Sequence, residues 1–266
     1  MAFRMDGKVA IVTGGGTSLP GIGIGCAVAT VLAREGAFIL VVDREEGNAK
    51  ATVDMIEEEG GRAVVCVADV SSEAECESMV RTALATFGGL DILVNNAGIS
   101  LHAPITETTL DLYEQIMAVN LRGTFMACKH AIPALIDRGG GSLVNIGSVV
   151  AIRDAGVTHP AYAASKGGVL ALTVDLAGEY GRRNVRVNAV LPGMIASPMQ
   201  ASIGTPSLEI QKRMNMLGRM GNVWDIAHSV AFLCSDEASY ITAQVMSVCG
   251  GATQGMPASS GRADRT

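Results

Sequence analysis

Seven short runs rich in valine, isoleucine and leucine recur along the chain, near residues 9–13, 38–43, 63–68, 92–95, 142–146, 186–191 and 245–249. Most are apolar throughout, so each of them, as a strand, has to be covered on both faces. Longer amphipathic stretches separate the runs, among them 27–35, 46–59, 73–87 and 163–180. A buried strand followed by a helix is the unit of a parallel sheet with helices on both faces. Seven such units predict a single-domain, doubly wound α/β (Rossmann) fold with a seven-stranded parallel sheet. The competitor is a closed (β/α)8 barrel. It needs an eighth strand, and the glycine-rich turn here follows the first strand, where a dinucleotide-binding sheet places it. A length of 266 residues suits one such domain. No compositional break divides residues 1–254, whereas the small, polar stretch 255–266 reads as a C-terminal tail or subunit-contact arm.

Charge narrows the function. The formal net charge is −6 and no basic run occurs, which excludes binding to nucleic acid through phosphate neutralisation. No apolar run reaches the length of a membrane span, and the N-terminal residues lack a signal-like apolar stretch, so a cytoplasmic protein is expected. Six scattered cysteines, with no pair at metal or redox spacing, predict reduced and mostly buried thiols and no metal.

Chemistry concentrates at the ends of the apolar runs. The first leads into Gly14-Gly15-Gly16-Thr17-Ser18-Leu19-Pro20-Gly21-Ile22-Gly23-Ile24-Gly25 and then a helix. Glycines there let backbone N–H groups approach a pyrophosphate at the helix N-terminus. The second run ends in Asp43, a carboxylate suited to the adenine-ribose hydroxyls and repulsive to a 2′-phosphate. The adjacent Arg44 works the other way, since a guanidinium can hold that phosphate. The balance favours NAD and leaves NADP open.

Further on, Tyr162-Ala163-Ala164-Ser165-Lys166 sets a phenol and an ammonium one helical turn apart. A free tyrosine, with a pKa of about 10, cannot accept an alcohol proton at neutral pH; a neighbouring lysine cation, together with the positive nicotinamide ring, draws the phenol down towards it. Ser148 ends the run at 142–146, fourteen residues before Tyr162, and so faces the crevice at the carboxyl ends of the strands. There its hydroxyl can stabilise developing charge on a substrate oxygen.

In order and spacing these segments resemble the short-chain dehydrogenase/reductase family over about residues 5–254. The glycine turn is longer than the family's and allows two registers, Gly21-Ile22-Gly23 or Gly23-Ile24-Gly25. Counting back from Leu32-Ala33-Arg34-Glu35-Gly36-Ala37 favours the second. The extra residues are then expected to bulge into solvent. The resemblance implies that Ser148, Tyr162, Lys166 and Asn120 are catalytic, with Asn120 holding a water that links the lysine to solvent. It further implies a cofactor wall of Gly14, Gly23, Ile24, Asp43, Asp69, Val70, Asn95, Gly98, Ile195 and Ser197, together with Tyr162 and Lys166. The implied activity is NAD-dependent interconversion of a small-molecule secondary alcohol and its ketone. The alternatives are an NADPH-dependent 3-oxoacyl-type reductase and a dinucleotide-binding protein without catalysis. A homotetramer or homodimer is implied, with contacts through residues 110–134 and 163–180. Cys249 stands where the family usually has aspartate, and Ala243 where it has glycine, near that expected interface. Residues 198–216, with Met199, Met214 and Met216, suit an apolar lid. Arg153, Asp154 and His159 fall in the loop before Tyr162, where a polar substrate such as a sugar, diol or acid would enter; a solvated loop is the plainer expectation.

Overall fold

The computed structural model describes residues 5–17, 21–154, 156, 158–202, 206–207, 210 and 213–255. Strands β1 (Val9–Thr13), β2 (Phe38–Asp43), β3 (Arg62–Val67), β4 (Ile92–Asn95), β5 (Gly141–Ile146) and β6 (Val185–Pro192) lie within a residue or two of the apolar runs. So does the last strand of the main sheet, β9 (Val245–Val248). The seven strands form one parallel sheet in the order β3-β2-β1-β4-β5-β6-β9. A two-residue ladder joins β7 (Ile195–Ala196) to β8 (Gly221–Asn222) beside it.

Alternation along the strands accounts for the two helical layers. Ala10 and Val12 of β1 face the cluster made by α1 (Ile24–Arg34), α2 (Glu46–Glu58) and α8 (Val223–Cys234). Val9 and Ile11 face the opposite cluster of α3 (Glu73–Phe87), α5 (Gly123–Asp137) and α6 (Pro160–Tyr180). Because both faces are covered, both sets of side chains must be apolar, which gives the continuous runs. Local signals set the helix ends. Asn222 and Asp225 form a capping box at the start of α8, Gly88 closes α3 at φ 79°, and Pro160 occupies the first turn of α6.

The segment expected as one helix near 110–134 is interrupted. Helix α4 (Leu110–Met117) passes into α5 through a π-helical turn, Ala118–Arg122, which contains the fully buried Asn120. All six cysteines are free thiols, five of them buried. Burial pushes Cys76 up to about 11 and Cys128 and Cys234 up to about 12, so these three are inert core groups. No helix among the described residues is long and apolar enough to cross a membrane. The tail expected from residue 255 lies, after Gly255, outside the described residues.

Order reverses between β1 and β4, so the crevice at the carboxyl edge of the sheet opens there. Leu93 of β4 is fully buried behind that crevice in the layer of α3, α5 and α6. Leu93→Ala is expected to lower unfolding stability by about 2–5 kcal/mol in urea denaturation. A midpoint equal to that of the unsubstituted chain would contradict this packing.

Candidate active site

A cavity of about 710 Å³ occupies the crevice. One end is a cradle of backbone. Gly14 turns out of β1 at φ 58°, and a Cβ there would lie 2.8 Å from the Cα of Ala97. A Cβ on Gly25 would stand 2.0 Å from the Gly14 carbonyl oxygen, so only glycine permits this crossing. Helix α1 begins at Ile24 with Gly23 as an N-cap that offers no side chain, and Gly23, Ile24 and Gly25 all line the cavity. First-turn N–H groups and the positive helix end are thus left for an anion, and the cradle fits a dinucleotide's pyrophosphate.

The first part of the enlarged glycine loop, Gly15 to Thr17, packs inward, whereas Gly21 near its end is exposed. The Gly16 N–H donates to Asp43 Oδ2 at 3.1 Å, and the Thr17 N–H donates to the Asn48 carbonyl at 3.1 Å. The Thr52 hydroxyl donates to the Gly15 carbonyl at 2.9 Å. Buried backbone groups need partners, and α2 supplies them, so Gly16 and Thr17 fold over and line the cavity with Asp43 and Asn48. Residues 18–20 lie outside the described residues.

Three expected wall residues face elsewhere. The amide of Asn95 donates to Asn145 Oδ1 at 2.9 Å and Cys128 Sγ at 3.3 Å, on the far side of the sheet. Its neighbour Asn96 takes the cavity position, donating to the carbonyls of Gly14 (2.8 Å) and Thr13 (3.1 Å). Asp69 accepts from the Ser71 N–H at 2.8 Å in an Asx turn leading to α3. Val70 is buried against Gly123, and neither Asp69 nor Val70 lines the cavity. Gly98, Ile195 and Ser197 do line it.

The floor holds the phenol and amine. Strand β5 runs through Gly147 into Ser148, whose hydroxyl accepts from the Val150 N–H at 3.4 Å and also hydrogen-bonds Tyr162. Lys166, buried one turn beyond Tyr162 on α6, donates to the Ile146 carbonyl at 2.8 Å. Its Nζ lies 5.8 Å from the centre of the Tyr162 ring. Burial raises the phenol above its ordinary value, and the hydrogen bond with Ser148 pulls the other way. Burial alone lowers the Lys166 ammonium to about 8. In the chain without a nicotinamide ring the expected depression is absent, because desolvation outweighs the lowering by Ser148.

Asn120 does not line the cavity. Its Oδ1 accepts from the Ile99 N–H at 2.8 Å, while its Nδ2 donates to the Ile99 carbonyl (2.9 Å) and Ser165 Oγ (3.1 Å). The Ser165 hydroxyl donates in turn to the Tyr162 carbonyl at 2.7 Å. These bonds engage both the oxygen and the nitrogen of the Asn120 amide. It locks the segment after Gly98 to the helix that carries Tyr162.

Beyond the phenol, Arg153, Asp154 and His159 all line the cavity, so this stretch is not merely a solvated loop. The ring of His159 stands edge-on to Tyr162 with centroids 5.4 Å apart, and His102 stands edge-on to His159 at 5.1 Å. Burial, followed by the charge of His102, lowers the pKa of His159, while Asp154 raises it. Met199 and Met214 of the expected lid line the cavity; Met216 does not, and packs beside Gly251. Asn48, His102 and Arg213 also belong to the lining and carry no motif or spacing signal.

A family model described as enoyl-(acyl carrier protein) reductase matches residues 21–253. The chain is 38% identical over 260 residues to 2-(S)-hydroxypropyl-CoM dehydrogenase 3 of Xanthobacter autotrophicus, covering 95% of this chain and 99% of that one. It is 36% identical over 256 residues to 2,5-dichloro-2,5-cyclohexadiene-1,4-diol dehydrogenase LinX of Sphingobium indicum, covering 96% and 100%. The solved structure of 7 alpha-hydroxysteroid dehydrogenase complexed with NADH and 7-oxo glycochenodeoxycholic acid superposes with a TM-score of 0.88. That chain is 32% identical, with 96% of this chain and 98% of that one covered.

The buried amine has a consequence for stability. Unfolded, Lys166 has its ordinary pKa of 10.5; folded, it titrates at about 8. Below about pH 8 the cation is buried in full, and between that pH and 10.5 the unfolded chain holds the extra proton, so stability rises with pH there. Lys166→Met is therefore expected to stabilise the fold more at about pH 7 than at about pH 10, read from urea midpoints of both chains. A difference that does not change with pH would contradict the burial cost.

Proposed function

The chain belongs to the short-chain dehydrogenase/reductase family, and from that premise we propose that it interconverts a secondary alcohol and its ketone with NAD(H), Tyr162 serving as acid and base. The observation that carries this reading is the trio on the cavity floor, Ser148 bonded to Tyr162 with Lys166 buried beneath them. The 7 alpha-hydroxysteroid dehydrogenase structure, with NADH and a 7-oxo compound bound, supports the reaction class.

Gly14, Gly23, Ile24 and Gly25 would hold the pyrophosphate, Asp43 and Asn48 the adenosine, and Gly98, Lys166, Ile195 and Ser197 the nicotinamide half. When bound, that cofactor supplies the hydride acceptor or donor. As phenolate, Tyr162 takes the proton from the carbinol oxygen, and in the reverse direction it returns it. Ser148 donates a hydrogen bond to the same oxygen as its charge develops. Lys166, with a pKa of about 8, is placed to favour the phenolate and to relay the proton onward.

Two features support NAD over NADP. The carboxylate of Asp43 is held at the cavity edge by the N–H groups of Gly16 and Glu45, both at 3.1 Å. The competing Arg44 pairs with Glu45 at 3.6 Å and does not line the cavity. The proposed assembly is a homotetramer or homodimer through α4, α5 and α6, a choice supported by the exposed Leu110, Phe125 and Val174 on those helices.

The test is a panel of secondary alcohols, diols, sugars, hydroxy acids and matching ketones with NAD(H) and NADP(H). Turnover with a clear NAD preference is expected. Tyr162→Phe should lower kcat by about 10²–10⁴-fold while NADH still binds. Preference for NADPH with 3-oxoacyl thioesters would favour the alternative reductase, and NADH binding without any turnover a non-catalytic role.

A further inference from the structure

Resting on the alcohol/ketone reading, we propose that the substrate carries an oxyanion, received by Arg153 and Arg213 while its carbinol carbon lies at Tyr162. The chain is acidic overall, with a net charge of −6, yet the cavity beyond the phenol is lined by two guanidiniums and two imidazoles. A cationic cavity in an acidic protein concentrates anions locally.

The guanidinium of Arg153 is anchored without being neutralised. Its Nε donates to the Asp154 carbonyl at 3.0 Å and its Nη1 to the Ala252 carbonyl. Both acceptors are backbone oxygens, so the side chain is oriented and its positive charge stays unanswered. Arg213 makes no ion pair among the described residues and stands exposed at the cavity mouth. Among the described residues, the carboxylate of Asp154 is the one opposing charge in the lining beside these arginines; it is exposed, and Oδ1 already accepts from the Gly156 N–H at 2.8 Å. One carboxylate against two guanidiniums leaves a net positive end.

Beside the phenol, and in the same cavity, stand His159 and His102, edge to edge, with the Nδ1 of His159 buried and without a hydrogen-bond partner among the described residues. Met199 and Met214 supply apolar walls. The arrangement fits a short apolar spacer that runs past the imidazoles from the carbinol to a carboxylate, sulfonate or phosphate. Guanidinium forks match such groups better than any neutral polar terminus.

An oxyanion could also come from the cofactor's own phosphates, so the experiment separates the two sources. The NADH-loaded chain is titrated with 3-hydroxybutyrate, 2-hydroxypropane-1-sulfonate and glycerol 3-phosphate, and with the neutral counterparts methyl 3-hydroxybutyrate and 2-butanol. Binding is followed on this non-reacting complex by the imidazole NMR signals of His102 and His159, and turnover of the same alcohols is measured in parallel with NAD⁺ as the hydride acceptor. At least one anion is expected to bind about tenfold more tightly than its neutral counterpart, the effect of one charge-assisted hydrogen bond. The gap should close in Arg153→Gln and in Arg213→Gln, and the exposed Arg213 keeps the test alive if the first variant does not fold. Equal binding of neutral and anionic probes, or a gap that survives both substitutions, would overturn the proposal. So would an Arg213→Gln chain whose NADH affinity falls while its preference for anions stays. Selective anion binding without turnover of any probe would leave the oxyanion site standing and overturn the dehydrogenase reading instead.

Discussion

A half-buried phenol and a buried amine, set side by side, govern this structure. Water would keep Lys166 charged and Tyr162 neutral at ordinary pH; burial pushes the amine down to about 8 and the phenol up. Burial thus brings the amine within reach of neutral pH and moves the phenol away from it, so acid–base work by the phenol needs a further positive charge beside it. The cost is an unfavourable buried cation, offset in part by the carbonyl of Ile146.

Rigid elements meet around that pair. Ile146 and Ser148 come from β5 and its extension, Tyr162 and Lys166 from α6, and the link between them from Asn120 in a π-helical turn. The wider turn moves the backbone out of α-register and places the amide between Ile99 and Ser165. Gly98 then passes close by, with the positions of Asn120 Oδ1 and Lys166 Nζ only 3.3 and 3.4 Å from where a Cβ would stand. Sheet, helix and loop thus hold one another's geometry, and the phosphate cradle opens from the same edge.

Much of this was legible in the residues. The central strands, buried on both faces, have to be apolar throughout, and the less buried edge strands β3 and β9 keep enough valine to be read beside them, so all seven were legible to within a residue or two, as was helix α3. The Tyr162/Lys166 pair was legible because a helical turn converts a spacing of four into proximity. What failed to show depends on contacts distant in sequence. Asn95 and Asn96 are chemically identical, and only the pleat decides which one faces the cavity. That one oxygen of Asp69, Oδ1, is engaged by the turn into α3 was likewise not legible. The glycine loop looked like an exposed bulge because its partners, Asp43, Asn48 and Thr52, come from β2 and α2. Asn48, His102 and Arg213 join the lining only through tertiary folding. The π-helical turn has no residue signature.

The chemistry rests on whether the phenol of Tyr162 can be brought into the working pH range by its surroundings. Direct titration of that phenol, by NMR of tyrosine labelled at Cζ in the full chain with and without NAD⁺, tests this most closely. Tyr162 is expected to titrate above the ordinary tyrosine value in the chain alone and distinctly lower once the positively charged nicotinamide is bound. A phenol whose titration is unchanged by NAD⁺, or moves upward, would contradict its assignment as the acid–base group.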